Sequence, residues 1–173
     1  MAKTFGLLLL GLLQLVVTSC NDNQTTKNKL SDKINETVIA NFSKYIFESE
    51  VINSKLILDS LKSLSDNIFV DTAKYLRTPK ARVFANTNAN THFRVFEQPR
   101  GVITAISFYK KNIEINSAEY YNNGQVMCKF NTTTEGVRDG NYYCYEENGK
   151  YRMTGYYKKG VEVKDSARNF EDQ

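Results

Sequence analysis

Apolar residues recur at helical spacing early in the chain and at alternating spacing later. Ile34, Val38, Ile39, Phe42, Tyr45 and Ile46 fall on one stripe of a helix. Ile57, Leu58, Leu61, Leu64 and Ile68 form a second stripe. The break near Ile52 and Asn53 predicts two amphipathic helices, over 31–50 and 54–66. Their facing stripes predict a helical hairpin. A short third helix is predicted over 71–77, capped by Asp71 and stopped at Thr78-Pro79.

After Pro79 the pattern changes to period two. "ARVFANT" and "HFRVFE" read as short strands around the polar "NTNANT". "GVITAISFYKKNIEINSAEYY" reads as two strands joined at Lys110-Lys111-Asn112. Further strands are predicted over 125–130, 141–145, 150–157 and 161–164, with tight turns at Asn123-Gly124 and Asn148-Gly149. The predicted class is α+β: an N-terminal helical hairpin followed by an antiparallel β meander. The expected divisions are a leader over 1–19, a flexible tether over 20–29 and a helical region over 30–78. A strand region over 79–118, repeated hairpins over 119–164 and a polar tail over 165–173 follow.

The leader changes where such a fold would work. Lys3 precedes an apolar run from Phe5 to Val17, too short for a span of about 20 residues and shaped like a secretory signal. Its ending, Val17-Thr18-Ser19-Cys20, resembles the lipobox of bacterial lipoproteins. That resemblance implies cleavage between Ser19 and Cys20, acylation of Cys20 and a lipid-anchored place in the bacterial cell envelope. An ordinary signal cut after Ser19 is the alternative. Two or more acyl chains anchor stably where one holds only marginally. "NDNQTTKNK" then offers no apolar residue, as a tether requires. The formal charge of +4 is too small a surplus to indicate a nucleic-acid partner.

The repeated phrase changes the reading of the second half. "EYYNNGQ" and "CYEENGK" place Gly124 and Gly149 alike, and Gly136 and Gly160 follow at nearly matched spacing. Tyr121, Asn123, Gly124, Gly136, Asp139, Gly140 and Tyr142 to Tyr145 resemble one MORN-type repeat of the bacterial, antitoxin-labelled variant. Tyr145, Asn148, Gly149, Gly155, Tyr156 and Gly160 resemble a second, shortened one. Phe130-Asn131 and the inserted "NTTTE" depart from that pattern. The resemblance implies hairpins stacked into one sheet, and a scaffolding or protein-binding role rather than a reaction. A toxin-neutralising, immunity-like protein is the alternative it carries.

Most of the 11 tyrosines cluster in these hairpins. The pairs Tyr120/Tyr121, Tyr142/Tyr143 and Tyr156/Tyr157 put one ring on each face of a strand. One face can pack, and the other is a candidate surface for an unknown protein partner. Packing across strands and under the helices is the alternative for the same rings. Cys128 and Cys144 flank a loop centred on Gly136. A strand register that sets them opposite permits a disulfide contributing about 3 kcal/mol, and two buried thiols are the alternative.

No signature of catalysis accompanies these features. His92 is the one histidine, and no zinc, redox or hydrolase motif is present. Glu146 and Glu147 are adjacent on a predicted strand and point to opposite sides, so they form no acid/base pair. The expectation is a non-enzymatic protein without cofactor or metal.

Overall fold

The computed structural model describes residues 24–71, 81–132, 137–163 and 168–169. The leader, Ser19 and Cys20 lie outside the described residues. The chain divides into two compact units, Met1–Lys33 and Ile34–Gln173. The described part of the first is helical, so helix α1 (Gln24–Glu48) takes in most of the stretch expected as a tether. That stretch has no apolar residue before Leu30, so hydrophobic periodicity has nothing to read there.

In the second unit α1 runs on to Glu48, and helix α2 spans Ser54–Leu64. Asn53 caps α2: its side chain accepts a bond from the Leu56 N–H, at 3.1 Å. Among the described residues ten strands form one sheet. They are β1 (Asn67–Asp71), β2 (Ala81–Asn86), β3 (Thr91–Gln98), β4 (Val102–Lys110), β5 (Ile113–Tyr120), β6 (Val126–Asn131), β7 (Gly140–Tyr145), β8 (Tyr151–Lys158), β9 (Val161–Glu162) and β10 (Arg168–Asn169). β1 to β8 lie side by side in chain order, every pair antiparallel, and β8 also pairs β9 and β10.

Cross-strand partners assign side chains to two faces. Phe84, Phe93, Phe108, Val95, Ile106 and Ala118 share one face, and all are buried. Phe42 of α1 meets it, with its ring 6.1 Å from that of Phe93. On the same face the Tyr120 hydroxyl donates to the Ile46 carbonyl at 3.5 Å. α2 lies on the sheet too: the Asn86 amide donates to the Leu64 carbonyl, and the Ile103 N–H to Ser54 Oγ.

The expected helical hairpin is therefore not formed. The stripes Ile39, Phe42, Ile46 and Ile57, Leu58, Leu61 are buried, but against the sheet. The linker explains this. It does not fold one helix back on the other but runs along the sheet. The Ile52 N–H donates to the Gly124 carbonyl at 2.9 Å, and the Val126 N–H to the Glu50 carbonyl at 2.8 Å. Each helix then buries its stripe on the sheet, and each fully buried large side chain contributes about 1.5–3 kcal/mol. The helical reading also ran too far. Asn67–Asp71 is strand β1, so Ile68 belongs to no helix; the helix predicted from Asp71 onward lies outside the described residues.

The repeated phrases fold into the same turn. Gly124 N–H bonds the Tyr121 carbonyl and Gly149 N–H the Glu146 carbonyl, both at 2.9 Å. Tyr121 N–H bonds the Gln125 carbonyl and Glu146 N–H the Lys150 carbonyl, both at 2.8 Å. The side chains of Asn123 and Asn148 each accept from the N–H two residues on. Gly124 and Gly149 have φ of 86° and 85°, a region that favours glycine. One turn stacks on the other, because the Asn123 amide donates to the Glu147 carbonyl at 3.2 Å.

A candidate binding surface on the tyrosine hairpins

Cys128 and Cys144 are register partners between β6 and β7, and their sulfurs are bonded. Both are buried on the face away from the helices. Phe130, Tyr142 and Tyr157 pack beside them, with Tyr142 5.3 Å from Tyr157 and 6.0 Å from Phe130. Arg138 stands 3.9 Å from the Phe130 ring centre, a cation–π geometry. The Tyr142 hydroxyl donates to the Glu162 carboxylate. Burial, then that bond, push the Tyr142 hydroxyl up to about 12. This side of the hairpins is a packed core.

The six tyrosines named from sequence thus fall in different settings. Tyr120 is 2% exposed under α1, and burial raises its pKa. Tyr142 is 5% exposed. Neither offers surface to a partner. Tyr157 is half-buried against Tyr142. Tyr121 is half-buried and donates to the Tyr145 carbonyl at 3.0 Å. Tyr156 is 36% exposed, and its hydroxyl reaches Asp139 at 3.3 Å.

Tyr143 points to the helix face, as its register partner Lys129 does through Ala118 and Ile106. There it joins two rings that the pair pattern did not single out. Tyr151 lies 6.0 Å from Tyr143 and 5.3 Å from Tyr145, the latter pair edge-on. Tyr151 is 38% exposed. Lys129 beside them is half-buried, and burial lowers its pKa, partly offset by Glu50 of the linker and Glu48 at the end of α1. Burial raises the Tyr145 pKa, helped by Tyr151 and Glu50. Three contacting rings, an ammonium and two carboxylates thus share one patch. The signal was present: Tyr145 and Tyr151 stand symmetrically about Asn148.

Elsewhere, His92 stacks on Tyr109 with centroids 4.5 Å apart and planes 6° apart. Burial, then Arg94, lower its pKa and favour neutral imidazole. The Tyr109 hydroxyl donates to Glu114 at 2.8 Å, and Arg94 pairs with Asp71 at 2.8 Å. His92, Tyr109, Arg94 and Asp71 line an open groove of about 460 Å³ together with Val83 and Ala85. Among the described residues, no three His, Cys, Asp or Glu side chains converge as metal ligands. No described helix is long and apolar enough to cross a membrane.

No family model matches the chain, and no curated protein matches it either. Among solved structures it is similar to part of the GtfA/B complex, at 8% identity over 74% of this chain and 26% of that one, with a TM-score of 0.41. It is similar to part of the pneumococcal O-GlcNAc transferase GtfA, at 11% identity over 70% of this chain and 23% of that one, with a TM-score of 0.40. With S. aureus TarM the figures are 12%, 86%, 33% and 0.38. The chain spans about a quarter to a third of the length of these proteins. Likeness this low bears on neither fold nor function.

Proposed function

We propose that this protein is a bacterial lipoprotein, held at the cell envelope through Cys20, that binds a protein partner through Tyr143, Tyr145 and Tyr151. The observation that carries the binding half is the patch itself. Tyr151 contacts both other rings and is 38% exposed, Lys129 is the register partner of Tyr143, and Glu50 acts on both Lys129 and Tyr145. Tyrosine supplies large contact area at small entropic cost, and charged rims set orientation. The anchor half rests on Val17-Thr18-Ser19-Cys20 directly after the apolar run. The toxin-neutralising alternative uses the same surface on a different partner.

Cell fractionation with palmitate labelling tests the anchor. Wild-type protein stays with membranes after carbonate washing and takes up label. Cys20→Ser takes up none and moves to the soluble fraction. Equal membrane retention of both proteins contradicts the anchor. The binding half is tested by replacing Tyr145 and Tyr151 together.

A further inference from the structure

Strand β1 stands at the end of the sheet, and among the described residues its strand partner is β2 alone. Its outer row of backbone N–H and C=O groups is paired by no described strand. Ile68, Phe69 and Val70 along it are 44%, 47% and 51% exposed. Natural sheets blunt such edges with lysine, proline or a bulge. β1 contains neither Lys nor Pro, and its register with β2 runs through all five residues without a shift. An apolar edge of this kind is a template for another strand.

We propose that β1 pairs antiparallel with β1 of a second copy of this chain, about a two-fold axis through Phe69. The strand is self-complementary in that register. Phe69 lies opposite the partner's Phe69, Ile68 opposite the partner's Val70, and Asn67 opposite the partner's Asp71. Apolar residues meet apolar ones on both faces, and the aromatic pair is among the favourable cross-strand combinations. The strand's one charge meets a neutral amide rather than its own copy, so no like charges face each other. A slip of two residues either way sets Phe69 against Asn67 or Asp71 and loses this match. The contact is isologous, and it uses up the β1 edge of both copies, so assembly through this edge stops at two. Five residues of strand edge bury less than the roughly 1,200 Å² of a standard interface, so the dimer is a weak one.

Register-specific cross-linking of the full chain tests this. Phe69→Cys, oxidised and run on a non-reducing gel, gives a covalent dimer several-fold above the unsubstituted chain, whose Cys20 sets the background. Ile68→Cys alone stays at background. Mixed with Val70→Cys it cross-links. Adding Val70→Lys to Phe69→Cys removes the product, because the lysine then faces apolar Ile68. Phe69→Cys at background overturns the proposal. So does an Ile68→Cys yield equal to that of Phe69→Cys, which is random collision. A cross-link from Phe69→Cys to a different protein also overturns it. The experiment needs neither membrane nor partner, so it stands or falls apart from the lipid anchor and the tyrosine patch.

Discussion

Gly155 and Tyr142 show what single residues decide in this molecule. They are register partners on β7 and β8, and the tyrosine ring lies over the glycine. A Cβ at Gly155 would stand 2.5 Å from Cε1, Cζ and Oη of Tyr142. The ring cannot swing aside without leaving Phe130, Tyr157 and the Glu162 carboxylate. Gly155→Ala should therefore cost about 1–3 kcal/mol, read as a lower urea midpoint. An unchanged midpoint would show that the ring is free to move. Sequence put one ring of each tyrosine pair on each face, since neighbours on a strand point opposite ways. It did not say which face is filled, because that depends on Arg138 and on Glu162 of β9, which come from outside the paired strands.

At the scale of elements, turns were the most legible feature. Asn123-Gly124 and Asn148-Gly149 turn where their chemistry demands, since the glycines supply positive φ and the asparagines bond forward along the backbone. β1 was not legible. Its side chains are exposed or only half-buried, so no alternation of apolar and polar positions marks it, and Ile68 continued the α2 stripe by accident of spacing. The disulfide belongs to this scale, because it ties β6 to β7 across a loop whose residues 133–136 lie outside the described ones. Replacing Cys128 and Cys144 together by Ala should cost about 3 kcal/mol in urea unfolding under oxidising conditions. Equal stability of the double variant and wild type would mean that the bridge contributes nothing.

Across the whole molecule, the helical stripes identified which residues are buried but not what buries them. Ile39, Phe42 and Ile46 fit a hairpin of helices as well as they fit a sheet. The choice is made by the 49–53 linker, which hydrogen-bonds to the Tyr121–Gln125 turn, and no local pattern encodes that contact. The same arrangement brings Glu48 and Glu50 near Lys129, and Glu50 near Tyr145 as well. The candidate surface is thus a product of long-range packing, and the sequence pattern pointed to one of its three rings. It named Tyr143 and missed Tyr145 and Tyr151, whose meeting depends on the β7–β8 register. The most direct test of the account is recovery of partner from native envelopes by wild-type protein and by the Tyr145→Ala/Tyr151→Ala variant, with folding checked by thermal melting. The account predicts at least a roughly tenfold loss of partner with the melt little changed, since buried aromatic anchors carry more than about 1 kcal/mol each. Equal recovery by the two proteins would contradict it.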